Sequence, residues 1–281
     1  MKYLCKMTES VYSFLSDGTF TLPYQSFGTG DELLLAFHGF GRSSDDFRRF
    51  EVELGGKYTL VAFDFFYHGP HAIAENKRIP SFTASDLSGL IEKLLWERKK
   101  VRCSLIGYSQ GGKTLMGLVH KIPHRIHELF VLAPDGMKKN RVREFIGGTS
   151  FGRKLGLHLV KKPDLLHTFI KILRKLGFIN EKVKIFFLAN TDSKEKRYKV
   201  YHSWLALNKY EIHPHMMNHY FHAKKIRVEF FIGKYDSIIT LKSANLFLKK
   251  FNYPIPLHAL ECGHDLLALH EKISRIILNK S

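Results

Sequence analysis

The octapeptide LIGYSQGG at Leu105–Gly112 constrains the fold more than any other stretch of the chain. An apolar run there ends in Gly107-Tyr108-Ser109-Gln110-Gly111 and passes directly into a helix-forming segment, Gln110–Lys121. A strand that becomes a helix at one sharp corner needs residues without side-chain bulk there, and the flanking glycines supply it. Such a junction belongs to a sheet whose strands alternate with helices. A glycine-rich turn without chemistry has the same composition, so the motif defines a local shape first.

The same rhythm recurs along the chain. Continuous apolar runs at Leu33–Phe37, Tyr58–Phe63, Cys103–Ile106, Leu129–Ala133 and Val228–Ile232 lack polar alternation, as strands covered on both faces do. Between and after them, helices are expected at Ser44–Glu53, Ala84–Glu97, Gln110–Lys121 and Leu241–Phe251. A last strand is expected at Pro256–Glu261 and a closing helix at Leu266–Leu278, with Leu266, Leu269, Ile273 and Ile277 as its apolar stripe. Val11–Leu15 and Phe20–Phe27 read as an antiparallel edge around the Asp17-Gly18 turn, although Pro23 sits awkwardly in a strand. The sum is a doubly wound α/β fold, a mostly parallel central sheet with helices on both faces.

Residues 137–225 interrupt that alternation. Helical stretches are expected around Val142–Gly156, Leu165–Leu176, Glu195–Leu207 and His215–His222, with a strand-like run at Ile185–Leu188. The expected division is therefore a core of residues 1–136 and 226–281 and an inserted, mainly helical cap of residues 137–225. Charge follows it. Of a net +18, the cap carries 20 lysines and arginines against six acids, a net +14. A cationic entrance that attracts small anionic substrates and a merely solvated surface both fit. No helix-turn-helix, zinc-finger or RNA-binding pattern is present, so no specific nucleic-acid partner is expected.

Cys5, Cys103 and Cys262 make an odd count without short metal-ligand spacing, which fits a reducing, cytoplasmic setting and no structural metal. The opening MKYLCKMTESVYSFLSDG lacks the apolar core of a secretory signal, and no transmembrane segment is expected.

Three further motifs bear on chemistry. The segment FFIGKYD places Asp236 beyond an apolar strand, and LHALECGHD places His264 before the closing helix. Ser109, Asp236 and His264 follow the serine, acid, histidine order of a nucleophile elbow. The histidine would take the serine proton, and the acid would orient the imidazole. The segment His38-Gly39-Phe40-Gly41 follows another apolar run, and the backbone N–H groups of Phe40 and Gln110 are candidates for an oxyanion hole. Taken singly, Asp236 reads equally as a turn carboxylate, His264 as an exposed or helix-capping residue, and the His38–Gly41 segment as a strand-ending loop.

With these motifs in place, nearly the whole chain resembles the α/β-hydrolase fold superfamily, of the serine-hydrolase type with a cap inserted after the sixth core strand. Its nucleophile elbow matches Gly107–Gly111, its acid loop Gly233–Asp236, its histidine loop Gly263–Asp265 and its oxyanion loop His38–Gly41. The resemblance implies hydrolysis of an ester, thioester, amide or related acyl compound, with an esterase expected first, a small-molecule acyl substrate and no required cofactor. Serine at the elbow departs from the aspartate of haloalkane dehalogenases and epoxide hydrolases.

Rival uses of the residues remain open at the level of sequence. A C–C bond hydrolase or lyase acting on a small anionic carbonyl compound would use cap cations, with Arg141, Arg143, Arg153 and Lys154 as candidates; a noncatalytic ligand-binding protein is a further alternative. His213, His215, His219 and His222 include a four-residue spacing but no acidic partner, and are expected to pack or face solvent rather than hold a metal. Tyr201, Trp204, Tyr220 and Phe221 fit an acyl pocket or the core equally. Cys103 and Cys262 are expected in packing roles, and Asp64 in a loop or at the substrate edge.

Overall fold

The computed structural model describes residues 11–73, 81–138, 140–206 and 210–279. Cys5 and Leu207 lie outside them. Eight strands form one sheet in the order β1-β2-β4-β3-β5-β6-β7-β8. They are β1 (Tyr12–Ser16), β2 (Thr21–Phe27), β3 (Glu32–Phe37), β4 (Tyr58–Phe63), β5 (Cys103–Tyr108), β6 (Ile126–Leu132), β7 (Arg227–Gly233) and β8 (Leu257–Leu260). The first two pair antiparallel and β2 joins β4 antiparallel; every later pairing is parallel. Pro23 is accommodated because the ladder to β4 begins only at Tyr24, and its carbonyl accepts from Asp64 N–H at 2.8 Å.

Every residue of β5 is buried, as are all but the first residue of β3 and β7, which explains their unbroken apolar runs. On the two faces lie α1 (Glu51–Leu54), α2 (Ala84–Glu97), α3 (Gln110–Leu118), and, later in the chain, the helices that close the fold. The expected helix at Ser44–Glu53 starts as a 3-10 segment, Ser44–Phe50, and becomes α-helical only at Glu51. Thr83 and Asp86 form a reciprocal cap at the start of α2, each side chain meeting the other's backbone N–H.

After β6 the chain leaves the sheet through α4 (Arg141–Gly148), α5 (Ser150–Lys161), α6 (Pro163–Lys175), α7 (Glu181–Ala189) and α8 (Lys194–Ala206). The strand-like run at Ile185–Leu188 is helical, inside α7. Asn180 caps that helix by accepting from Val183 N–H at 2.8 Å, and a four-residue apolar run is too short to override such a start. These helices carry their own apolar cluster, centred on Ile146, Val160 and Tyr201. The next helix, α9 (Pro214–Lys224), differs: its Met217 and Phe221 are fully buried in the same cluster as the sheet. The fold ends with α10 (Leu241–Leu248), β8, a 3-10 turn at Leu266–Leu269 and α11 (His270–Ile277). Among the described residues no helix is long and apolar enough to cross a membrane.

Candidate active site

Chain order runs from β3 outward to β4 and then back across to β5, so the loops after β3 and β5 diverge and leave a crevice at the carboxyl ends of the strands. Ser109 sits there, between β5 and α3, at φ 52° and ψ −108°. Non-glycine residues avoid such a conformation, which costs about 1–3 kcal/mol. It is held by backbone hydrogen bonds on both sides: Ser109 N–H donates to Leu132 O at 2.8 Å, and Ser109 O accepts from Asp135 N–H at 2.9 Å and Lys113 N–H at 3.1 Å. A side chain at position 111 would collide with the Phe37 carbonyl, and one at 107 with α3, so the corner closes only with glycine at both.

The loops after β7 and β8 bring the other two residues in. His264 Nε2 lies 3.2 Å from Ser109 Oγ, and His264 Nδ1 lies 2.7 Å from Asp236 Oδ2. Asp236 is buried, and its other oxygen accepts from the N–H groups of Ile238 and Ile239 at 2.8 and 2.9 Å. Those two donors leave the carboxylate one free edge, which faces the imidazole. Tyr108, next to the serine, donates its hydroxyl to His264 O at 2.9 Å and so fixes the histidine loop from the elbow itself.

The loop after β3 approaches from the other side. A Cβ at Gly39 would stand 2.9 Å from the Tyr108 ring and 3.3 Å from Ser109 Cβ. His38 is fully buried; its Nε2 accepts from Phe65 N–H at 3.0 Å, so its Nδ1–H donates to Gly39 O, at 2.7 Å. Burial lowers its pKa, which keeps that neutral tautomer. Because the peptide is planar and trans, holding Gly39 C=O toward His38 turns the Phe40 N–H the opposite way. Gln110 supplies the first N–H of α3. Arg42, just past this loop, pairs with Asp265, just past His264, at 2.8 Å and ties the two loops together. Neither His38, Tyr108 nor the Arg42–Asp265 pair was singled out from sequence as a support; their adjacency to the motif residues was the available signal.

Other candidates lie elsewhere. Asp64 is buried and accepts from Ser44 N–H at 2.5 Å, a loop support. Cys103 is buried in β5, and burial pushes its thiol up to about 12; Cys262 is half-buried and also raised by burial. Of the four candidate cations, Arg141 and Lys154 are exposed, and Arg153 bonds to Gly147 O and Ser150 Oγ. Arg143 is buried, 2.5 Å from Asp135, whose own N–H holds Ser109 O. Phe221 stacks on Phe251 in the core, and Tyr220 packs partly buried against the same cluster, whereas Tyr201 and Trp204 line a cavity among α4 to α8. His213 lies edge-on to His120, His219 to Tyr220 and His222 to Tyr253. Among the described residues, the one group with metal-compatible spacing is Glu32, His127 and Glu128, at the opposite end of the sheet, where Glu128 already binds Tyr58, Ser104 and Arg227.

A family model described as alpha/beta hydrolase fold matches residues 32–270. Among solved structures, a hydrolase from Pseudomonas aeruginosa PA01 superposes with a TM-score of 0.63 at 17% identity, covering 97% of this chain and 99% of the other. A thermophilic esterase from Thermogutta terrifontis gives 0.64 at 16% identity, covering 97% of each chain. In sequence, the chain is 26% identical over 127 residues to the dihydrolipoyllysine-residue acetyltransferase component of the acetoin cleaving system of Cupriavidus necator; the match spans 45% of this chain and only 33% of that relative.

Proposed function

The chain belongs to the alpha/beta hydrolase fold family, and from that premise we propose that it is a serine hydrolase that cleaves carboxylic esters through an acyl-enzyme on Ser109. The observation that carries the reading is the unbroken contact from Ser109 Oγ through His264 to Asp236, at 3.2 and 2.7 Å. Esterases among the structural neighbours agree with it.

In this mechanism His264 Nε2 accepts the serine proton as Oγ attacks the ester carbonyl, and Asp236 stabilises the imidazolium through Nδ1–H. The tetrahedral oxyanion accepts from the N–H groups of Phe40 and Gln110, each such donor being worth roughly 2.7–4 kcal/mol in the transition state. The imidazolium then protonates the leaving alcohol. Water enters, gives its proton to His264 and attacks the acyl-enzyme; collapse returns the proton to Ser109 Oγ and frees the acid. The core residues 1–136 and 226–281 supply this machinery, and the cap, residues 137–225, selects the acyl group.

One observation favours a second reading, in which the substrate is a small anionic carbonyl compound cleaved at a C–C bond. Arg143 is buried with Nε and Nη2 unpartnered, and Lys113 beside it is lowered to about 8 by burial and by that guanidinium. Turnover of a panel of short, long and thioester acyl substrates against carboxylated carbonyl compounds, with Ser109→Ala as control, separates the two. Ester turnover lost in the variant supports the first; conversion confined to carboxylated ketones supports the second.

A further inference from the structure

Helix α6 is apolar over more of its circumference than the fold covers. At about 100° per residue, Leu166, Ile170 and Leu173 share one side, and they line the interior among α4 to α8. Leu165, Ile172 and Leu176 form a second line, within about 40° of one another and about a quarter-turn from the first. They are 48, 47 and 65% exposed, and Phe178, just past the end of the helix, is 58% exposed. Large apolar side chains exposed singly are ordinary, but three in register along one helix make a continuous patch of the kind that marks a contact surface.

Positive charge borders that line. Lys171 and Lys175 stand about a quarter-turn to its other side, and Lys161 and Lys162 precede the first turn. All four are exposed, and among the described residues no carboxylate pairs with them; Glu181, the acid that follows the helix, is already held by Arg174 and Lys184. Residues 161–185 together carry seven lysines and arginines against two acids. A second copy set face to face on this surface would add its own lysines to the same interface, and a nucleic acid would leave the apolar line in water. An anionic lipid surface satisfies both features: headgroups take the lysines, and the apolar line enters at the acyl boundary, as in amphipathic helices that lie in the plane of a bilayer. The patch also adjoins the candidate active site. Phe178 lies two residues before Asn180, whose Nδ2 donates to Ser237 O at 3.1 Å, next to Asp236, and α7 then sets Phe186 against the Phe40 ring.

We propose that this face of α6, with Phe178 beyond its end, docks the protein peripherally on an anionic phospholipid bilayer. Docking is independent of turnover at Ser109, so its test uses the full chain carrying Ser109→Ala, sedimented with phosphatidylcholine vesicles that contain about one-third phosphatidylglycerol. Saturable binding is expected at about 0.1 M salt, roughly tenfold or more tighter than to phosphatidylcholine alone and weakening as salt rises. Lys171→Gln with Lys175→Gln should weaken it about 30-fold. Arg98→Gln with Lys99→Gln removes the same charge from exposed positions before β5, at the opposite end of the sheet, and should cost less than about threefold. Ile172→Ser with Leu176→Ser should weaken binding about tenfold or more, and because both side chains are half-exposed or more, thermal unfolding should stay close to that of the parent chain. Equal binding to vesicles with and without phosphatidylglycerol, no saturable binding to either, or equal losses from the two cation pairs overturns the proposal. So does undiminished binding by folded Ile172→Ser, Leu176→Ser protein, or a dimer in light scattering that this variant abolishes, which would assign the apolar line to a second copy.

Discussion

Replacing Asp236 by asparagine changes one atom's chemistry and leaves the shape intact. The outer oxygen of Asp236 accepts from Ile238 and Ile239 N–H, so an amide in that position must choose which end to present there. With its oxygen toward the two backbone donors, both remain satisfied. With its NH2 there, two half-buried donors lose their acceptor, at about 1 kcal/mol or more each. A bias of at least about 2 kcal/mol holds the first orientation roughly thirtyfold in excess. That orientation aims the NH2 at His264 Nδ1, which must then be the acceptor, so the ring proton moves to Nε2. An imidazole protonated at Nε2 cannot take the proton of Ser109. We expect kcat for a p-nitrophenyl ester to fall about 10⁴-fold, the loss that a wrong tautomer produces in a serine protease. Thermal unfolding should stay within a few degrees of the wild type. A folded Asp236→Asn protein that kept a tenth or more of kcat would refute the role of Asp236 as the group that orients His264.

Gly39→Ala puts a methyl 2.9 Å from the Tyr108 ring and 3.3 Å from Ser109 Cβ; the loop shift that relieves these contacts should lower kcat about 10- to 1,000-fold while the melting temperature changes little. Burial holds the imidazoles of His38 and His68 below the ordinary histidine range, so both stay neutral in the folded chain while the unfolded chain takes up protons below about pH 6.5. Stability is therefore complete above that pH and lost as pH falls, by up to about 1.4 kcal/mol per unit for each histidine, and urea unfolding of His68→Phe between pH 6.5 and 5.5 should show one histidine's share of the slope removed. With its thiol raised to about 12, Cys103 should resist iodoacetamide at pH 8 in the folded chain and react in urea, as read by peptide mass mapping.

The sheet was legible because its parallel strands are buried on both faces and so wrote themselves as continuous apolar runs. The candidate site residues stood out because each lies where such a run ends. What the sequence concealed has a different physical basis. Ile185–Leu188 looks like a strand until the cap at Asn180 is weighed. Glu128 and Glu229, buried within β6 and β7, are tolerated through pairs with Arg227, a partner that no local pattern announces. The division of labour within residues 137–225 was equally hidden: Phe221 and Met217 pack on the core, while Tyr201 and Trp204 line a cavity among α4 to α8, and helical spacing alone does not tell which neighbour an apolar face meets. His38 was read only as the start of a glycine loop, yet it is the residue that sets how that loop's peptide points.

The most direct measurement of the central claim is intact-mass and peptide mapping after reaction with a broad fluorophosphonate. The account predicts one adduct per chain, located on Ser109, with ester turnover falling in proportion to labelling and both adduct and turnover absent from Ser109→Ala. A folded chain that gains no adduct at Ser109, or a Ser109→Ala protein that still hydrolyses the ester at the wild-type rate, would contradict it.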